Sequence, residues 1–141
     1  MEKSKSPIEC NCFALRQATR FVTQIYERHL DEVGVTPAQF TILAKLSRTP
    51  QLTMTELADA MVMDRTTLVR ALKPLQRDGY VRTDSAEHDT RTHVFSLTKS
   101  GSRVFERASA SWRAAQEEFE QKFGRARAKA LRSELFSLTA Q

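Results

Sequence analysis

Apolar side chains recur every three or four residues along most of this chain, which is the spacing of one face of an α-helix. The longest such patterns run over residues 12–34 and 99–123. Shorter ones cover residues 37–48, 54–63 and 65–76, and a last one places three leucines on one side after Gly124. The pattern therefore predicts six helices.

Helix start signals stand before several of these segments. Asn11, Thr36, Thr53 and Asp64 each precede an apolar pattern, and their side-chain oxygens can accept a hydrogen bond from a free backbone N–H group. Thr53 is followed three residues later by Glu56, which is the spacing of a capping box. We therefore expect residues 53–76 to form two short helices joined by a tight turn.

Polar and apolar residues alternate on both sides of residues 87–91, whose sequence is Glu-His-Asp-Thr-Arg. Alternation with a period of two predicts strands, and the charged centre predicts a solvent-exposed tip. A β-hairpin directly after a helix-turn-helix makes a winged helix. The predicted fold is thus mainly α with a small β-wing, comprising six helices and one β-hairpin.

The second of the two short helices is basic on the face that its buried leucines do not use. Residues 64–82 carry five basic and two acidic side chains, a net charge of +3. A helix of this kind fits the major groove of DNA, which is about 12 Å wide. An ordinary helical hairpin with a solvated basic face would have the same composition, and only the adjacent wing favours the DNA-binding interpretation.

Composition sets the broad class of protein. The 141 residues are 40% hydrophobic and 28% charged, as in one soluble globular domain, and the net charge of +5 is compatible with a nucleic-acid partner. The polar start and the lack of a long apolar run predict a cytoplasmic protein without a membrane partner. No acid–base pair, metal motif or cofactor loop is evident, so we expect no enzyme, no cofactor and no metal.

Three motifs carry a resemblance to a known family. These are Asp64-Arg-Thr-Thr-Leu68 followed by Pro74-Leu-Gln-Arg-Asp-Gly79, then Asp89-Thr-Arg91, then Leu97-Thr-Lys-Ser-Gly101. Together they resemble the MarR family of winged-helix transcriptional regulators. The resemblance divides the chain into an N-terminal arm (1–9), an N-terminal dimerisation helix (10–34), a winged helix-turn-helix DNA-binding region (35–98) and C-terminal dimerisation helices (99–141), within a single compact domain.

The resemblance implies a homodimer that binds a palindromic DNA operator, acts as a repressor and is released by a small signal. In the family's wing, Arg91 would enter the minor groove and Asp89 would orient it. The DNA-binding residues that we predict are Thr53, Arg65, Thr66, Thr67, Arg70, Lys73 and Arg91. The operator sequence and the direction of regulation are not encoded in these motifs.

Two interpretations of the signal remain open. Cys12-Phe-Ala-Leu15 is similar to the start of the first helix in the organic-hydroperoxide-sensing branch, where this cysteine reacts with peroxide. Cys10 could resolve the oxidised sulfur, although Arg16 replaces the tyrosine that the branch has after Phe-Ala-Leu. The other interpretation is a small aromatic or phenolic effector in a pocket with Arg16, Tyr26 and His29.

A different class of function also shares this fold, namely a winged-helix protein-interaction module that does not bind DNA. Such a module has no need of Arg65, Arg70 and Arg91 on its exposed surfaces. DNA binding that weakens steeply with salt would distinguish a regulator from such a module, because phosphate contacts release counterions.

Overall fold

Six α-helices and three β-strands make up residues 6–140, the part of the chain that the computed structural model describes. In chain order they are α1 (Asn11–Leu30), α2 (Pro37–Arg48), β1 (Leu52–Thr53), α3 (Met54–Met61), α4 (Arg65–Arg77), β2 (Val81–Ala86), β3 (Asp89–Leu97), α5 (Lys99–Phe123) and α6 (Arg125–Thr139). The predicted mainly α fold with a β-wing is confirmed. Most of the predicted N-terminal arm lies outside the described residues, and Pro7–Glu9 form a 3-10 turn.

Most helices begin where the sequence predicts. The side chains of Thr36, Thr53 and Asp64 accept hydrogen bonds from the backbone N–H three residues later, at 3.1, 3.1 and 2.7 Å. Each bond satisfies one of the donors that a helix N-terminus leaves free. For α1, the prediction of Asn11 as N-cap is wrong. Cys10 holds that position, and its Sγ accepts from the Phe13 N–H at 3.4 Å.

One hydrophobic core joins the helix-turn-helix to the sheet and to α5. Its side chains come from α2, α3, α4, β2, β3 and α5, with Leu30 added from the end of α1. Its fully buried side chains include Ile42, Leu43, Leu57, Leu68 and Phe95. The core therefore fixes the orientation of α4 relative to the wing.

The sheet has three strands rather than the two of a simple hairpin. Strand β3 lies in the middle and pairs antiparallel with both neighbours, and Leu52 of β1 lies opposite Phe95. In the β2–β3 pair the register is regular from Val81–Leu97 to Ser85–His93, and it then shifts so that Ala86 faces Asp89. This shift leaves residues 90–92 of β3 in a bulge beside the two-residue turn.

The turn between α3 and α4 contains an unusual backbone conformation. Val62 has φ 52° and ψ 46°, and it is the one non-glycine residue with positive φ in residues 6–140. Its N–H donates to the Asp59 carbonyl, and the next N–H donates to Ala58 at 3.0 Å, as in a Schellman helix end. A left-handed conformation costs an L-residue about 1–2 kcal/mol, and a β-branched one is a clear outlier there.

A tight corner connects the wing to α5. The Thr98 hydroxyl donates to the Gly79 carbonyl at 2.6 Å and accepts from the Gly101 N–H at 2.9 Å, while the Thr98 N–H donates to the Tyr80 carbonyl at 3.1 Å. Gly101 is buried against the Tyr80 backbone, which leaves no room for a Cβ atom. The Leu-Thr-Lys-Ser-Gly motif thus closes the end of the winged helix.

Candidate nucleic-acid interface

Helix α4 is divided into a buried and an exposed face. Leu68, Leu72 and Leu75 are in the core. On the other side the predicted recognition residues are all exposed, namely Arg65, Thr66, Thr67, Arg70 and Lys73. All five side chains are therefore accessible to solvent, and we call this exposed part of the helix the α4 surface.

The N-cap of α4 remains ionised. Hydrogen bonds from Thr67, and to a smaller extent the charge of Arg70, hold the pKa of Asp64 below its ordinary value. At neutral pH the Asp64 carboxylate is therefore charged and accepts the hydrogen bond from the Thr67 N–H that stabilises the first turn of the helix. That first turn carries Arg65 and Thr66, the side chains nearest to a groove in a helix-turn-helix complex.

The basic residues around α4 fall into two groups. Arg77 pairs with Asp78 at 3.2 Å, and Arg82 pairs with Asp84 at 2.9 Å. By contrast, within residues 6–140 no carboxylate lies within ion-pair distance of the four basic residues that are predicted to contact DNA. These four unpaired cations are Arg65, Arg70, Lys73 and Arg91. Positive charge without an internal partner is available for phosphate or base contacts.

Arg91 lies in the bulge of β3, three residues after the tip of the wing, and it is exposed. The Asp89 carboxylate accepts hydrogen bonds from the Arg91 backbone N–H at 2.9 Å and from the Thr92 hydroxyl at 3.1 Å. The expectation that Asp89 holds the guanidinium itself is therefore not what the structure shows. Asp89 instead fixes the backbone of the bulge, from which the Arg91 side chain extends.

Thr53 is not on α4 but is the N-cap of α3. Its hydroxyl oxygen accepts from the Glu56 N–H, and the Glu56 carboxylate accepts from the Thr53 N–H at 3.1 Å. The hydroxyl proton is left free for a phosphate oxygen. Contact of Thr53 with DNA stays a prediction.

Both cysteines are exposed free thiols at the start of α1. Cys10 is the N-cap, Cys12 lies in the first turn, and Arg16 is one turn further along. Because both thiols are exposed, an oxidant in solution can reach them, and the redox role stays a prediction.

The three predicted pocket residues do not meet in one cavity. Tyr26 donates a hydrogen bond to Gln116, and it lines two cavities. His29 Nε2 lies 3.1 Å from a carboxylate oxygen of Glu118, which also accepts from Arg28. These partners lower the pKa of Glu118 to about 2, Arg28 first and His29 next. His29 therefore links α1 to α5, whereas Arg16 is exposed on α1.

A crevice that the sequence did not predict lies between α2 and α5. It has a volume of about 550 Å³ and an apolar floor that includes Phe40, Phe105 and Trp112. The three aromatic rings stack with centroid distances of 5.5 and 6.0 Å. Cationic side chains of Lys45, Arg48 and Arg113 line its rim, and no carboxylate does. Its residues come from distant parts of the chain, so no local pattern could have revealed it.

A second apolar surface covers α1 and α6. Phe13 and Phe21 of α1 are 52% and 59% exposed, and Phe136 and Leu138 of α6 are 67% and 69% exposed. A groove of about 330 Å³ separates the two helices and is lined mainly by apolar side chains of α1, α5 and α6. Large aromatic and aliphatic side chains rarely stay exposed together unless another molecule covers them.

Comparisons with known proteins agree with this geometry. Residues 33–92 match the model of the MarR family. The organic hydroperoxide resistance transcriptional regulator of Bacillus subtilis is 30% identical over 97 residues, 69% of this chain and 66% of that protein. The transcriptional activatory protein BadR of Rhodopseudomonas palustris is 29% identical over 67% of this chain and 55% of its own length. The match thus spans between about half and two thirds of these relatives.

Solved structures match over nearly the whole chain. The transcriptional regulator MosR of M. tuberculosis, in complex with DNA, is 35% identical, with a TM-score of 0.82 and coverage of 93% of this chain and 94% of that one. The transcriptional repressor CouR, bound to a 23-mer DNA duplex, is 26% identical, with a TM-score of 0.84 and coverage of 97% of this chain and 99% of that one.

None of the helices in residues 6–140 has the length and apolar character needed to cross a membrane.

Proposed function

Because this chain belongs to the MarR family, we propose that it is a dimeric repressor that binds a palindromic DNA operator and is released by a small signal. The relatives and the fold are those of transcriptional regulators and not of enzymes. The observation that carries the proposal is the set of unpaired cations on the α4 surface and the wing. A regulator of this kind acts on the chromosome, so we place it in the cytoplasm.

Binding to duplex DNA is supported by the charge of these two elements. Arg65 and Arg70 on α4 can reach the edges of bases in the major groove, and Arg91 on the wing can enter the adjacent minor groove. The solved structures of MosR and CouR, which share the fold, both contain DNA. The protein-interaction alternative leaves the unpaired cations without a purpose.

A two-fold dimer is supported by the apolar surface of α1 and α6. Burial of Phe13, Phe21, Phe136 and Leu138 against a second copy would remove all four from water. A two-fold protein presents its two recognition helices to two half-sites of opposite orientation, about one helical turn of DNA apart. The palindrome follows from this symmetry.

DNA binding is tested by selecting duplexes from a random pool with the wild-type protein and measuring their dissociation constants over a range of salt concentrations. We expect an enriched palindromic duplex whose affinity falls steeply with salt. Arg70→Gln should weaken binding and reduce the salt dependence. The matched control is Arg77→Gln, because Arg77 is already paired with Asp78. A protein that enriches no duplex, or that is indifferent to salt, would refute the proposal.

The first candidate signal is a small aromatic acid in the crevice between α2 and α5. The stacked rings of Phe40, Phe105 and Trp112 would hold an aromatic ring, and the cationic rim would hold its carboxylate. Trp112 is the single tryptophan of the chain, so its fluorescence reports ligand entry directly. Salicylate and benzoate are suitable probes. Arg113→Ala should lower their affinity, and an unchanged Trp112 signal at saturating probe would exclude this site.

The second candidate signal is an oxidant that acts on Cys12. The exposed thiols at the start of α1 and the similarity to the B. subtilis regulator favour it. Oxidation by cumene hydroperoxide gives a sulfenate and cumyl alcohol, and attack by a second thiol, such as that of Cys10, releases water and forms a disulfide. One equivalent of peroxide should release the wild-type protein from DNA but not Cys12→Ser. Equal release of both proteins would exclude the thiol mechanism.

A further inference from the structure

Val62, in the turn between α3 and α4, combines a backbone conformation that is unfavourable for valine with an apolar side chain that is exposed to solvent. The three glycines with positive φ are Gly34, Gly79 and Gly124, so this chain uses glycine at the other left-handed positions of residues 6–140. At φ 52° the turn after α3 carries a β-branched side chain instead. Folding alone would favour glycine or asparagine at this helix end.

The Val62 side chain does not offset this strain by packing into the protein. It is 64% exposed, whereas the flanking residues Met61 and Met63 are partly buried against the core. The isopropyl group therefore contributes little to the buried apolar surface. A side chain that is strained and exposed in the free protein can be explained by a contact made in a complex.

Its position identifies the partner. Val62 lies two residues before Asp64, the N-cap of α4, and next to the exposed first turn that carries Arg65 and Thr66. The N-terminal end of a recognition helix is the part that approaches base edges, and the preceding helix crosses the phosphate backbone. The turn between them therefore faces the DNA in a helix-turn-helix complex.

We propose that Val62 makes an apolar contact with operator DNA and is an additional affinity-determining residue of the recognition element. This proposal rests on the DNA-binding function proposed above. Its chemical partner is an apolar group of DNA, either a thymine methyl or the carbon edge of a deoxyribose. The contact would explain why the turn retains valine in a conformation that suits glycine.

The test separates stability from affinity. Val62→Gly and Val62→Asn should raise the melting temperature by a few degrees, because both residues tolerate the left-handed region. Both should also weaken binding to the duplex that the wild-type protein enriches, by about tenfold for a dimer that loses two such contacts. A more stable protein with a lower affinity cannot owe that lower affinity to unfolding.

Gly34→Val is the matched control. Gly34 also has positive φ, at 81°, and a Cβ atom there meets nothing within 4 Å. It lies between α1 and α2, outside the segment formed by α3, the turn and α4. This variant should lose stability and keep the wild-type affinity for DNA. Equal weakening in Gly34→Val would show that affinity follows any change at a turn, and it would overturn the proposal.

A duplex with deoxyuridine in place of thymidine distinguishes the two DNA partners. If the contact is with a thymine methyl, one such replacement weakens the wild type and has no effect on Val62→Gly. If no replacement has an effect, the deoxyribose is the partner. Affinities of Val62→Gly and Val62→Asn equal to that of the wild type would overturn the proposal. A wild-type protein that enriches no duplex would instead refute the DNA-binding function itself.

Discussion

Replacement of Gly101 by alanine should destabilise the junction between the wing and α5. A Cβ atom at this position would lie 2.0 Å from the carbonyl oxygen of Tyr80 and 2.9 Å from its carbonyl carbon. A carbon–oxygen contact needs about 3.3 Å, so the backbone of α5 and that of Tyr80 must separate by about 1.3 Å. Both are main-chain segments in a packed corner, and no flexible side chain can absorb the movement.

The expected cost follows from two contributions. Overpacking in a well-packed interior costs about 2 kcal/mol. The same movement lengthens the hydrogen bond from the Thr98 N–H to the Tyr80 carbonyl, which is 3.1 Å long, and its loss adds about 1 kcal/mol. We expect the free energy of unfolding to fall by about 3 kcal/mol and the melting temperature to fall by about 10 °C.

Urea and thermal unfolding at one fixed protein concentration measure this loss. Gly34→Ala is the control, because Gly34 has positive φ but open space around its Cβ position, so its cost should stay near 1 kcal/mol. The difference between the two variants isolates the steric clash. If Gly101→Ala loses no more stability than Gly34→Ala, the backbone at this corner relaxes without cost and the predicted steric clash does not occur.

Three further variants test other parts of the structure. Arg91→Ala should weaken operator binding by about 1–3 kcal/mol with unchanged thermal stability, and a wild-type dissociation constant would remove the wing from the contacts. Glu118→Gln should lose stability at neutral pH. The pKa of Glu118 is about 2 in the folded protein, whereas its ordinary value is 4.5. The ionised carboxylate therefore stabilises the folded wild type above pH 4.5, and this stabilisation is lost as the pH falls towards 2. The variant should therefore decline less steeply over that range, and parallel acid-unfolding curves would contradict the assignment. Phe136→Glu should yield a monomer in sedimentation experiments, whereas Glu87→Ala at the wing tip should leave the mass unchanged, and a dimeric Phe136→Glu would exclude α6 from the interface.

The features that sequence analysis predicted correctly depend on local interactions. The caps at Thr36, Thr53 and Asp64 each bond to an N–H three residues away, so the signal and its partner lie in one short segment. The wing likewise follows from alternation over neighbouring residues. Strand β1 was missed because two residues are too short for a periodic pattern, and its partner Phe95 is 43 residues away from Leu52.

The three residues of the predicted effector pocket all lie on one helix, α1. Arg16 and His29 are about 20 Å apart on α1 at 1.5 Å per residue, so a small ligand cannot contact both from one site. The crevice between α2 and α5 instead combines Phe40 with Trp112, which tertiary packing brings together. Val62 was missed for another reason, since a valine between two methionines gives no sign of a left-handed backbone.

The length of α5 gives the molecule a mechanical property. This helix begins at the corner beside the wing and continues for 25 residues to the α6 junction, a span of about 37 Å. If α5 moves as a stiff rod that pivots at its Phe123 end, a tilt of about 5° displaces its Lys99 end, beside the wing, by about 3 Å. A shift of that size approaches the rise between neighbouring base pairs of DNA. In the proposed dimer, a slight change in how the two subunits meet would therefore produce a mismatch with the spacing of the half-sites.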